Sequence, residues 1–349
     1  MNNLVWFRND LRVKDNTSLF KASKNAKRLA AVYCFDPRQF QEDQFGFKKT
    51  ERFRAQFLIE TVTELREHLA ELNIPIFVYN EQPEDILPQL IERLQIDQLF
   101  FQEEWTSEEQ GVTKKVKESC SASVKFTESY DQFLIHPEDL PYKSIEAIPN
   151  VFTQWRKKCE KNLNIRKEVS ITEFPQTNFE ENSTSIPTLQ DLNLESFKPD
   201  HRTAFPFKGG EQQALNRIED YFWQTKKLAV YKKTRNGLTG KNYSSKLSAW
   251  LANGSISART IYWKIKAFEQ EETKNESTYW LFFELMWRDF FKYISLKYGD
   301  QIFKIGGILE KDYDWKTNKA AKKEWINGQT KYDFVNANMK EIAATGWMS

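Results

Sequence analysis

The residues best placed to do chemistry are Glu284, Trp287 and Arg288, within the run Thr278 to Ile294, TYWLFFELMWRDFFKYI. Their spacing puts them on one surface. At 100° per residue, Trp280, Glu284, Trp287, Arg288 and Phe291 fall on one side of a helix, at i, i+4, i+7, i+8 and i+11. Phe282, Leu285, Met286 and Tyr293 cover the other side, so the helix should be buried nearly all round. A Glu and an Arg inside it must be paired or bound, because an isolated buried charge is costly. Two arrangements satisfy that: an i,i+4 Glu284–Arg288 ion pair in a core helix, or a functional trough.

A second run could bind an anion. From Tyr221 to Phe268 there are ten Lys or Arg and no acid, interleaved with Tyr, Trp and Phe. Its centre, residues 231–257, reads YKKTRNGLTGKNYSSKLSAWLANGSIS. Gly237 and Gly240 allow a tight loop. Ser244 or Ser245 should cap a helix that ends at Asn253-Gly254. A helix N-terminus with clustered hydroxyls and a lysine suits a phosphate. The acid-free run points to a nucleic acid or nucleotide, with Lys232, Lys233 and Arg235 as phosphate contacts and a solvated basic loop as the plainer alternative.

The elements that must position these groups differ between the two halves. In the first 130 residues, Leu4–Arg8, Leu29–Phe35, Ile74–Tyr79, Gln98–Gln102 and Val124–Thr127 read as short buried strands. Helical patterns lie between them, the clearest over Glu51–Leu72. This is βαβ alternation and predicts a doubly wound, five-stranded parallel sheet. No G-x-G-x-x-G or P-loop follows any strand, which disfavours nucleotide binding of those kinds. Ligands in such sheets sit at the carboxyl ends of the strands, where WFRNDLR (6–12) and QEEWTSEE (102–109) stand. Thr106 and Glu109 could instead form a capping box. A helix is expected over Asn150–Lys161, and the polar stretch Lys167–Asp200 reads as a linker over the surface. From His201 onward helices dominate. The organisation expected is 1–133 as an α/β domain, 134–200 as a linker with one helix, and 201–349 as a helical domain.

Composition narrows the partners. Residues 201–349 carry 25 Lys+Arg against 16 Asp+Glu, while residues 1–200 carry 26 against 33. A basic second half suggests an anionic partner. Cys34, Cys120 and Cys159 have no metal or redox spacing, which fits cytoplasmic thiols. No apolar run is long enough for a membrane span. Three histidines make a His-based metal site or triad unexpected, so no metal is assigned.

Along its whole length the sequence resembles the photolyase/cryptochrome family, and within it the DASH cryptochromes. The resemblance rests on WFRNDLR (6–12), QEEWTSEE (102–109), FPFKGGE (205–211), YKKTRNGLTG (231–240), SSKLSAWLANGSIS (244–257), ELMWRDFF (284–291) and TGWMS (345–349). It implies an α/β antenna domain followed by a helical domain holding U-shaped FAD. It also implies a carbon–carbon lyase: blue-light repair of cyclobutane pyrimidine dimers in DNA, preferably single-stranded, by a cytoplasmic monomer. By position, Tyr231 and Ser244, Ser245, Lys246, Leu247 and Ser248 would hold the flavin phosphates and ribitol. Glu284, Trp287, Arg288 and Phe291 would line the wall between flavin and lesion, Glu284 bonding an extruded pyrimidine and Trp287 stacking on it. Glu104, with Glu103, would touch a folate antenna, 5,10-methenyltetrahydrofolate. Trp325 would be the outermost tryptophan of the electron relay.

Two departures from the family pattern bear on this. The family continues past TGWMS with an Asn-Arg-rich helix, an acidic flavin contact and the two inner relay tryptophans. Its G-x-T-G-x-P-x-V-D-A becomes GQTKYDFVNA here, at 328–337. By the resemblance the sequence supplies about half of a flavin cavity, as expected of a fragment or truncated product, or of a chain that binds the cofactor weakly or not at all. The alternatives are a light receptor or DNA-binding protein that repairs nothing, and an inactive fragment.

Overall fold

The computed structural model describes residues 1–179 and 184–349. Its first half alternates β1 (Asn2–Trp6), α1 (Thr17–Ser23), β2 (Arg28–Cys34), α2 (Arg52–Glu71), β3 (Ile76–Tyr79), α3 (Pro83–Leu94), β4 (Gln98–Gln102), α4 (Ser107–Ser119) and β5 (Lys125–Ser129). All five strands are parallel, in the order β3-β2-β1-β4-β5, so the expected doubly wound sheet is borne out. Both faces are covered, which is why these strands are apolar runs without alternation. Leu4, Val32 and Leu99 face Leu87, Leu90 and Val116 of α3 and α4. Val5, Ala31 and Phe100 face Leu19, Leu65 and Leu69 of α1 and α2. Strand order reverses at β1, which opens a crevice at the carboxyl ends.

The second half is helical: α5 (Phe152–Lys161), α6 (Glu211–Glu219) running into a π turn at Asp220–Gln224, α7 (Tyr231–Thr234), α8 (Ser248–Asn253), α9 (Ala258–Glu271), α10 (Glu276–Tyr298), α11 (Lys319–Ile326) and α12 (Asp333–Thr345). A capping box between Asn275 and Thr278 starts α10, and Met286, Phe290 and Tyr293 anchor it in the helical core with Trp155, Trp250 and Ile265. The stretch expected to be a linker is shared by two cores. Leu134, Ile148, Trp155 and Ile165 pack into the helical core, while Phe174, Leu189, Leu192 and Leu194 pack against the sheet side. Residues 180–183 of that stretch lie outside the described residues.

Three local expectations need correction. The helix after the basic loop starts at Ser248 with Leu247 at its N-cap, so neither Ser244 nor Ser245 caps it. Lys246 has φ 61°, a left-handed turn that a helix cannot run through, and this delays the start. Thr106 stands at the N-cap of α4 without a side-chain cap bond, so the capping box with Glu109 is not made. Nor is α10 buried all round: Phe291 is 62% exposed, and Glu284, Trp287 and Arg288 are half-buried.

A buried charge cluster joins the halves. Asp131 binds Arg12 at 2.8 Å and Arg259 of α9 at 2.6 Å, and Arg259 binds Asp15 at 2.9 Å. Arg12 also donates to the carbonyl of Gly254 at 2.9 Å. Gly254 has φ +74°, and a Cβ there would lie 2.0 Å from the Asn9 carbonyl oxygen, so only glycine lets the end of α8 touch the loop after β1.

Candidate functional site

Glu284 lies two turns into α10, where its carboxylate pairs with Arg235 of the basic loop. Burial raises its pKa above the ordinary carboxylate value, and Arg235 and the Trp280 indole oppose that rise. Arg288 is committed elsewhere: it donates to the carbonyls of Gln132, at 2.6 Å, and Leu251, at 3.2 Å. The i,i+4 Glu284–Arg288 pair allowed by the spacing is therefore replaced by a long-range one. Trp287 lies flat on Phe152 of α5, ring centroids 3.5 Å apart and planes 16° apart, and near-parallel to Phe291 at 5.4 Å. One of its faces is thus already stacked, by a residue the sequence pattern had not singled out.

The basic loop is less free than its composition suggests. Lys232 pairs with Glu276 at 2.9 Å and its ammonium lies 4.6 Å from the Trp280 ring, while Lys233 is exposed. The acid-free run thus borrows its counter-charges from the start of α10. Tyr231 is buried, and burial pushes its hydroxyl up to about 12.

The loop from Lys241 to Ser245 is held by Arg217 of α6, which is 2% exposed. It donates to the carbonyls of Lys241, Ser244 and Ser245, to Asn242, and to Asp220 at 2.6 Å. Sequence reasoning passed over Arg217, although an arginine one position before the apolar Ile218 was the available signal. Next to this loop, Lys246 is 3% exposed and its ammonium has no hydrogen-bond acceptor. It sits over the rings of Tyr243, at 3.5 Å, and Trp347, at 4.7 Å, and burial lowers its pKa. Tyr243 and Glu341 oppose that fall, and a buried ammonium lacking a hydrogen-bond acceptor, in a segment that also carries Ser244, Ser245 and Ser248, suits the phosphates of a dinucleotide. Trp325, on α11, is 50% exposed.

Glu103 and Glu104 follow β4. Glu104 accepts from Asn9 at 3.1 Å, Gln102 at 3.0 Å and Gln132 at 2.8 Å. Glu103 lies beside Glu128, and burial with that like charge pushes it up to about 7. Lys292 of α10 donates to Gln132 at 2.6 Å, and its burial lowers it to about 8. The crevice at the strand ends is a separate cavity of about 1050 Å³, lined by Trp6, Arg8 and Asn9, by Tyr33 and Phe57, and by Trp347. It reaches neither Glu103 nor Glu104. Among the described residues, no helix is long and apolar enough to cross a membrane.

The DNA photolyase family matches residues 3–178, and the FAD binding domain of DNA photolyase matches residues 280–349. The cryptochrome DASH of Gloeobacter violaceus is 44% identical over 99% of this chain and 69% of that protein. That of Danio rerio is 42% identical over 98% of this chain and 66% of that protein. The crystal structure of the Synechocystis sp. PCC6803 cryptochrome superposes with a TM-score of 0.93 at 39% identity, covering 100% of this chain and 72% of that one.

Proposed function

Because the chain belongs to the photolyase/cryptochrome family, and to its DASH cryptochromes, we propose that it is a blue-light-dependent flavoprotein photo-lyase acting on cyclobutane pyrimidine dimers in single-stranded DNA, as a cytoplasmic monomer. The observation that carries this reading is the setting of Glu284: a half-buried carboxylate on an aromatic helix face, opposite a basic loop. Such a carboxylate accepts a hydrogen bond from the ring N–H of an extruded thymine, and the surrounding rings keep water from competing. Arg235 and Lys232, now paired with Glu284 and Glu276, are the cations that a DNA phosphate would attract.

FAD, when bound, supplies the light-excited electron that splits the dimer. The chain would hold it through Lys246, Ser244, Ser245 and Ser248 for the phosphates, through Tyr231 and Leu247, and through Glu284, Arg288 and Phe291 of α10. Trp325, exposed on α11, suits the outer end of an electron relay. For a folate antenna, Glu104 already accepts three amide N–H bonds, so a fourth donor from the ligand would complete its carboxylate.

The test is fluorescence anisotropy with oligothymidylate carrying one dimer, against the undamaged strand. The parent is expected to prefer the dimer, and Glu284→Ala to lose most of that preference. Losing the contact costs about 1–3 kcal/mol. Equal affinity of the parent for both strands would refute dimer recognition. A second reading, a binder of single strands blind to dimers, is favoured by one observation: Arg235 closes Glu284 and Phe152 covers a face of Trp287.

A further inference from the structure

Two buried cations, Arg217 and Lys246, meet beside the loop that follows Gly240, and their hydrogen bonding is opposite. A guanidinium carries five N–H donors, and in Arg217 every one is spent. Nε donates to the carbonyl of Ser245 at 3.1 Å. One terminal nitrogen donates to Asp220 at 2.6 Å and to Asn242 at 3.0 Å. The other donates to the carbonyls of Lys241 at 2.9 Å and Ser244 at 3.1 Å. Its central carbon also lies 4.9 Å from the Phe207 ring and 4.7 Å from the Tyr221 ring. Arg217 thus has no donor left for a ligand.

Lys246 is the reverse case, an ammonium with no acceptor among the described residues. Its backbone has φ 61°, a region where a residue with a Cβ stays only when its surroundings hold it there. Arg217 supplies that hold. The Ser245 carbonyl belongs to the planar unit that leads into Lys246, and the Ser244 carbonyl to the unit before it. Pinning both sets the direction in which the chain enters the turn, and the ammonium comes to rest over the rings of Tyr243 and Trp347. Burial lowers the Lys246 pKa, Tyr243 and Glu341 oppose that, and the like charge of Arg217 adds to it. Asp220 answers Arg217 by direct contact, whereas Lys246 has no such partner among the described residues. An anion relieves that imbalance.

We propose that Arg217 is the positioning residue of an anion subsite at Lys246, its fork fixing the turn that keeps the ammonium unpaired for a phosphate or pyrophosphate group. This rests on the reading of Lys246 as a phosphate contact of the flavin nucleotide. Arg217 touches no ligand. It acts through two backbone carbonyls, so its planar fork matters as well as its charge, and a lysine cannot replace it.

The experiment is calorimetric titration of the full chain with inorganic pyrophosphate. The parent should bind, and Lys246→Met should not. Arg217→Gln and Arg217→Lys should each weaken binding about 10- to 100-fold, the range of one hydrogen bond to a charged group moved out of place. Arg217→Lys keeps the buried charge, and it carries the test should Arg217→Gln fail to fold. Ethylguanidinium added to Arg217→Ala should restore affinity, because it returns the fork without the chain. Ile218→Ala is the control for stability alone: it truncates the buried neighbour of Arg217, lowers the unfolding midpoint and should leave pyrophosphate affinity unchanged. Parent-like binding by Arg217→Lys would overturn the proposal, as would an equal loss in Ile218→Ala. Parent-like binding by Lys246→Met would place the anion elsewhere and overturn it too. A parent that binds pyrophosphate with this dependence on Arg217, yet takes up no FAD, would sink the flavin reading and leave the positioning role standing.

Discussion

Asp131 tests whether the two halves are joined by charge or merely by contact. Its carboxylate is fully buried between Arg12, 2% exposed, and Arg259, 5% exposed, and it also accepts from the backbone N–H and the hydroxyl of Thr17. Asp131→Asn keeps the shape and removes the charge, leaving Arg259 with the Asp15 carboxylate and Arg12 with carbonyl acceptors in place of a carboxylate. Removing one partner of a buried ion pair costs about 3–5 kcal/mol, because the survivor stays desolvated. That lowers the folded-to-unfolded ratio by a factor on the order of 10² to 10³ or more. Arg52→Ala is the control, since Arg52 meets Glu195 at 3.5 Å with the glutamate 89% exposed, and such pairs contribute less than about 1 kcal/mol. Urea unfolding followed by tryptophan fluorescence, which samples both halves, reads the difference as a shift in midpoint at constant slope. A midpoint for Asp131→Asn no lower than that of Arg52→Ala would refute the idea that this cluster fastens the halves together.

Two further outcomes are expected. Burial raises both Asp10 and Asp289 to about 6, so each favours its protonated form in the folded protein; their contribution is complete below the unfolded value, about 3.9, and is lost as pH rises through 6. Thermal melts between pH 4 and 7 should show that fall, and Asp289→Asn should reduce its steepness; an unchanged pH profile would count against Asp289 as its source. For DNA binding, Lys233→Ala should lower the salt slope by about 0.7 for one lost phosphate contact, and Lys232→Ala by less, because Glu276 already neutralises Lys232 in the free protein. Anisotropy titrations across a salt series decide this, and equal slopes for the two variants would show that the pairing has no influence on phosphate contact.

What could be read from the sequence divides by distance along the chain. The strands were legible because a buried parallel strand is apolar on both faces, and Leu4, Ala31 and Leu99 carry that signal in their own neighbourhoods. The helix bearing Glu284 was legible from its period, and its exposure was not, since periodicity cannot tell which neighbour arrives. The same limit explains the pairing. Glu284 and Arg288 have the spacing of an ion pair, yet Arg288 is drawn to the carbonyl of Gln132, 156 positions away, and Glu284 to Arg235, 49 away. Arg12, Asp131 and Arg259 are unremarkable one by one, and their cluster exists only once the sheet and α9 meet. Ser244 and Ser245 were misplaced as caps for a local reason, the left-handed turn at Lys246, which a lysine in a sequence does not announce.

The placement of these long-range bonds has a consequence for how the two expected sites relate. Asp289 accepts the backbone N–H groups of Leu134 and Ile135 at 3.0 and 2.8 Å, and Tyr293 donates to the Ile135 carbonyl at 2.5 Å. Arg288 holds the carbonyl of Gln132, whose side-chain amide in turn holds Glu104. Glu104, the expected antenna contact, is thus tied by two side chains to a helix position one turn from Glu284, the expected base reader. Asp289 is buried and Arg288 and Gln132 largely so, and each bond ends on backbone or on another fixed side chain, so the path has little freedom to move. A connection of this kind fixes the separation and the relative angle of the two positions, and it opposes a hinge between the halves. The charge cluster at Asp131 and the bonds from α10 to residues 132–135 oppose one from two sides.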